Sequence, residues 1–150
     1  MKRGVAIAGA LLLAACGATE TSRPDFRDAL DAHLAAIEAK DIDAYIPTVT
    51  SGDDLHVIFP DGSVIETTDG VAAFHREWFA DADWRMEPQV VKVMEGEDMA
   101  AALLKYDYRD TPEGEPRASW LILVFELEDG EWRLVHDQNT RINAPEAAGE

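Results

Sequence analysis

The stretch Glu131-Trp132-Arg133-Leu134-Val135-His136-Asp137-Gln138-Asn139-Thr140-Arg141-Ile142 contains neither glycine nor proline and follows directly on the dipeptide Asp129-Gly130. A long run of this kind behind an Asp-Gly pair reads as a β-strand entered through a tight hairpin. Alternation places Trp132, Leu134, His136, Gln138 and Thr140 on one face and Arg133, Val135, Asp137, Asn139 and Arg141 on the other. On composition alone the first face is core and the second meets solvent.

Working backwards, residues 84–95, 99–109 and 119–128 are also strand-like. They are separated by Gly96 and by Thr111-Pro112-Glu113-Gly114, and four successive strands of this length predict an antiparallel meander. Further upstream, Phe26, Leu30, His33, Leu34 and Ile37 recur at helical spacing behind Ser22-Arg23-Pro24-Asp25, which has capping-box form. A short helix is expected over 41–46, stopped by Pro47. Residues 55–59 and Val64-Ile65 form a hairpin across Pro60-Asp61-Gly62. A third helix, capped by Thr68 or Asp69, carries Val71, Phe74, Trp78 and Ala82 on its apolar side and ends near Asp83. Helices first and long strands afterwards predict one α+β domain over 23–143, a cone-shaped curved antiparallel sheet covered by three N-terminal helices.

The chain begins differently. Lys2 and Arg3 precede an apolar run from Val5 to Leu13 that is too short to span a bilayer, and the run closes on Leu13-Ala14-Ala15-Cys16. Charge, apolar run and small residues in that order read as a signal peptide over 1–15, and Leu-Ala-Ala-Cys resembles the lipobox of bacterial lipoproteins. The resemblance implies cleavage before Cys16, acylation of its sulfur and a lipidated tether over 16–22. Cys16 is the only cysteine, so no disulfide can hold the fold. Gly17 is not the aspartate that retains many lipoproteins at the inner membrane, so a cell-envelope location is expected, on an outer membrane facing the periplasm. The polar end, 144–150, is expected to be a disordered tail.

The formal net charge is −17, and it becomes −19 when Lys2 and Arg3 leave with residues 1–15, which hold no acid. Such a body repels nucleic acid and anionic lipid, so membrane attachment falls to the acyl chains. His33, His56, His75 and His136 sit on separate elements without the short pairings that make metal ligation, and no cofactor is implied.

The element order, together with Asp41-Ile42-Asp43-Ala44-Tyr45 after the first helix and Trp132 to Thr140 as the last strand, resembles the SnoaL-like branch of the nuclear transport factor 2-like superfamily. The third helix, Phe74-His75-Arg76-Glu77-Trp78-Phe79, resembles that of the calcium/calmodulin-dependent kinase association domain, an assembly module without catalysis. Isomerases, epoxide hydrolases, dehydratases and cyclases share the superfamily, so fold does not settle function.

The association-domain resemblance reverses the parity read from composition. It implies that Lys105, Asp107, Asp137 and Asn139 look into the cone, and that Leu104, Tyr106, Trp132 and Leu134 lie on the convex face, where a homodimer forms. It also places His75 and Trp84 at the pocket. That pocket's arginines correspond to Asn139, Lys105 and Leu123, so one cation stands where the module has a cluster.

The first expectation is therefore an envelope lipoprotein whose cone binds a small, partly apolar molecule through His75, Trp84, Lys105, Asn139, His136 and Gln138. The second is an isomerase, dehydratase or cyclase in which Asp107 or Asp137 is the base and Tyr45 a donor. The third is a non-catalytic dimeric assembly module. His33, on an apolar helix face, is read as core.

Overall fold

The computed structural model describes residues 23–53 and 55–143; the expected signal peptide, Cys16, the tether and the 144–150 tail lie outside them. In chain order the elements are α1 (Phe26–Ala39), α2 (Ile42–Tyr45), a 3-10 turn (Ile46–Thr48), β1 (His56–Ile58), β2 (Val64–Ile65), α3 (Thr68–Ala80), β3 (Arg85–Glu95), β4 (Met99–Arg109), β5 (Arg117–Glu128) and β6 (Glu131–Arg141). No helix among the described residues is long and apolar enough to cross a membrane.

Local chemistry sets the helix ends. The Asp25 carboxylate caps α1 by accepting from the Arg27 N–H, and Lys40 ends the helix in the left-handed region at φ 55°, its N–H returning to the carbonyls of Ala36 and Ile37. Asp41 caps α2 through the amides of Asp43 and Ala44. As expected, α2 ends before Pro47, although the proline does not end helical backbone outright. It stands in the first turn of the 3-10 segment, where no amide donor is needed. α3 begins one residue earlier than the sequence suggests, because the Thr67 hydroxyl accepts from Gly70 N–H, and it ends at Ala80, where Asp81 turns extended.

The six strands form one curved, unclosed sheet in the order β2-β1-β6-β5-β4-β3, antiparallel throughout except where β1 runs parallel to β6. The predicted meander is present as β3 to β6. Its last turn is two residues long, with Asp129 at φ 50° and Gly130 at φ 84°, the paired positive angles that match a hairpin's right-handed twist. α1 lays Phe26, Leu30, His33 and Ile37 against the concave face. There Phe26 meets Phe125 and Trp132 edge-on, with ring centroids 5.3 and 5.5 Å apart.

The sheet parity follows neither sequence expectation along the whole of β6. Phe125 pairs with Leu134 and Val124 with His136, so Val135 is an extra residue, a β-bulge. Before it, Trp132 and Leu134 face the core, 4% and 0% exposed. After it the alternation has slipped by one, and Asp137 and Asn139 take the concave side. Composition was correct for the first half of the strand and the association-domain resemblance for the second. On β4, Leu104 and Tyr106 are buried on the concave side, whereas Lys105 is exposed and Asp107 shares its face; their expected inward orientation is corrected.

Candidate functional site

Between α3 and the concave sheet lies a cleft of about 350 Å³, at the small end of the usual range for ligand sites. One wall is aromatic and comes from α3 and the β1–β2 turn, through Phe74, Trp78 and Phe59. The facing wall is the sheet, with Tyr106 and Tyr108 from β4 and Leu121 from β5. Asp137, Asn139 and Arg141, at successive inward positions of β6, supply polar groups along its length. A broader depression of about 700 Å³, bordered by His56, Glu126, Glu128 and His136, lies on the other side of the sheet. It is shallow and open, and no phenylalanine, tyrosine or tryptophan lines it.

Asp137 is the group with unusual chemistry. Burial raises its carboxyl from the ordinary aspartate range to about 7, and the hydrogen bond from Asn139 acts in the opposite direction without cancelling this. Asn139 is itself fixed: Tyr106 O–H donates to its Oδ1 at 2.8 Å, while its Nδ2 donates to the Ile58 carbonyl at 3.0 Å and to Asp137 Oδ1 at 2.7 Å. The chain of donors orients the carboxyl through Oδ1, and Oδ2 has no hydrogen bond among the described residues.

Beside Asp137 is a row of three packed rings. Tyr45 lies on His75, centroids 4.1 Å apart at 19°, and His33 follows Tyr45 at 5.2 Å. His75 Nδ1 is 2.8 Å from the Val71 carbonyl, which can only accept, so Nδ1 carries the proton and Nε2 keeps its lone pair. Burial lowers His75 to about 4. It lowers His33 to about 3, with repulsion from a protonated His75 as a second cause, so both rings are neutral at physiological pH. Burial, and then the Asp137 carboxylate, hold the Tyr45 phenol well above its ordinary value. The Tyr45 hydroxyl is enclosed without a hydrogen-bond partner among the described residues.

The structure thus gathers Asp137, Asn139 and His75 at the cleft, with Tyr45 directly behind His75. Other candidates lie elsewhere. Lys105 and Asp107 are on the convex face, as are His136 and Gln138 beyond the bulge. Trp84 is 2% exposed and sealed: its ring stacks on Trp78 at 4.2 Å, its N–H donates to the Trp78 carbonyl, and Lys40 Nζ sits 4.0 Å over it. It supports the wall that Trp78 presents. Tyr106, Tyr108, Arg117 and Arg141 were missed. Alternation continued from Asp137 would have found Arg141, and correct parity on β4 the two tyrosines.

Residues 27–139 match the sequence model of the SnoaL-like domain. The chain belongs to the SnoaL-like family. No match was found among curated proteins. Among solved structures, this SnoaL-like chain is similar to a protein from Thiobacillus denitrificans assigned as a calcium/calmodulin-dependent protein kinase type II association domain. The two share 24% identity over 80% of this chain and 97% of that one, with a TM-score of 0.70. A protein from Streptomyces avermitilis assigned as a dehydratase of the nuclear transport factor 2-like family reaches the same TM-score at 15% identity, covering 79% of this chain and 94% of the other. A ketosteroid isomerase-like protein from Erwinia carotovora follows at 0.64 and 21%, with coverage of 79% and 94%. At these identities the likeness is one of fold, a nuclear transport factor 2-like cone.

Proposed function

We propose that this SnoaL-like domain binds a small, partly apolar molecule in its cleft and moves a proton on it through Asp137, as an isomerase or dehydratase does. The observation that carries this reading is a carboxyl raised to about 7 at an apolar, aromatic-walled cleft and aimed by Asn139. A base whose proton affinity matches neutral pH both takes and returns a proton readily. In the carboxylate form Asp137 accepts a proton from a carbon beside a carbonyl; in the acid form it hands that proton back at another carbon or to a departing hydroxyl. The neutral Tyr45 phenol and neutral His75 add no competing charge beside it.

The domain is held at the cell envelope by acylated Cys16. The start of the described chain is fixed at one end of the sheet, where Trp132 N–H donates to the Pro24 carbonyl and Arg23 donates to the carbonyls of Gly96 and Glu97. Arg117 and Arg141 mark the opposite strand ends. Strands of eleven residues are roughly 36 Å long, whereas seven tether residues, 16–22, reach at most about 25 Å. The arginine end of the cleft therefore faces away from the bilayer, and ligand arrives from the aqueous side.

Native mass spectrometry of protein taken from its own membrane tests both parts. The expected species begins at Cys16, carries acyl groups and retains a small molecule that is lost when Leu121→Trp fills the cleft. That molecule should then exchange a proton with D2O at least ~100-fold faster with the native protein than with Asp137→Asn. Intact residues 1–15 would contradict the anchor, and equal exchange by the two proteins would contradict the role of Asp137.

A further inference from the structure

Two guanidinium groups stand at the end of the cleft away from Asp137, and neither is explained by proton transfer. Arg117 and Arg141 both line the cleft. Arg117 is already committed: it forms a two-pronged ion pair with Asp110 and lies 5.3 Å over the Tyr108 ring. Arg141 is not. Its Nη1 is enclosed and makes no hydrogen bond among the described residues. An enclosed charged donor of this kind is costly unless something in the site accepts from it.

The charges specify what that acceptor is. Arg117 and Arg141 bring two positive charges and Asp110 one negative, so the three side chains together carry +1 in a chain whose formal net charge is −17. A monoanion balances this, whereas a dianionic phosphate leaves excess negative charge in an acidic body. A carboxylate also matches the fork of an arginine, accepting two N–H groups side by side.

We infer that Arg141, supported by Arg117, forms a carboxylate subsite, so that the cleft takes a small organic acid whose apolar body lies between the arginine end and Asp137. This rests on the cleft being the ligand site, as proposed above. Asp137 and Arg141 are four residues apart on β6, roughly 13 Å between their Cα atoms, which is the span of one or two rings once the side chains reach inward. Phe74, Trp78 and Leu121 supply the apolar walls between them. The cation that sequence reasoning assigned to the pocket, Lys105, is on the wrong face; the pair at the strand ends takes its place.

The test uses the full chain carrying Cys16→Ser, titrated by calorimetry at about pH 6 with 2-naphthoate and with its neutral isostere 2-naphthamide; at that pH the naphthoate is ionised and Asp137 is largely protonated. The expected result is about tenfold tighter binding of naphthoate. Arg141→Gln should bring the two ligands within about twofold of each other by weakening naphthoate alone, and Arg141→Lys should restore part of the preference. Unchanged naphthamide binding by Arg141→Gln is the control for folding. Equal binding of acid and amide by the native chain would overturn the subsite while leaving the cleft as a binding site. A preference untouched by Arg141→Gln would overturn the assignment to Arg141. Binding of neither compound would overturn the cleft itself. Displacement of naphthoate by inorganic sulfate as effective as displacement by benzoate would show a site for free anions and also overturn the organic-acid reading.

Discussion

A carboxyl held near neutrality by burial is a local instability. Folded Asp137 keeps its proton to about pH 7, whereas the unfolded chain releases it near the ordinary value of 3.8. The native state binds the extra proton over this interval, so stability falls as pH rises from about 4 to 7, by about 4 kcal/mol in total. His33 and His75 act with the opposite sign. Their folded values of about 3 and about 4 lie below the ordinary 6.5, so the unfolded chain takes up protons that the native state refuses, and stability falls as pH drops below 6.5. Asp137→Asn removes only the first effect while keeping an oxygen for Asn139 to donate to. Urea unfolding at pH 8 should show the variant more stable by up to about 4 kcal/mol, with the two proteins alike at pH 4. A variant no more stable at pH 8 would mean that the carboxyl is not held in an apolar setting. A site residue that weakens the fold in this way fits the common trade between stability and chemistry.

At the scale of elements, what the sequence revealed and what it hid have different causes. α1 and α3 are legible because their apolar residues recur at helical spacing with a capping side chain in front, and β3 to β6 because turn residues separate long runs of strand formers. The helix ends drift by a residue or two: Thr67 rather than Thr68 caps α3, and α2, which does end before Pro47, is followed by a 3-10 turn that contains the proline. The larger miss is a single residue. Val135 adds one position to β6 without a glycine or proline to mark it, and every side chain after it changes face. The fold was therefore readable and the site only half so. Asp137, Asn139 and His75 are legible in the sequence, but the association-domain resemblance puts Lys105 and Asp107 at the cleft in place of Tyr106 and Tyr108, because it sets the parity of β4 against the alternation of the buried Leu104 and Tyr106.

On the scale of the whole molecule, the convex face is the surface that solvent does not explain. Trp120, Met94 and Met99 are 39%, 41% and 51% exposed, and half-buried Leu103, Ile122 and Val124 lie among them on the same side of the sheet. A continuous apolar patch on one face of a sheet favours pairing with a second copy about a twofold axis. The chain carrying Cys16→Ser should run as a dimer by light scattering, and Ile122→Lys, which sets like charges together across that axis, should make it a monomer. A native chain that stays monomeric at ~100 μM would remove this interface.

Asp137 is the group on which the proposed proton transfer depends. Carbon-13 NMR of the aspartate carboxyl carbons, with Asp137 assigned by comparison with Asp137→Asn, follows its protonation directly. The predicted result is a midpoint at about 7, far above the ordinary aspartate value of 3.8. A midpoint near 4 would leave the cleft without its proton-transfer group and contradict the proposed chemistry.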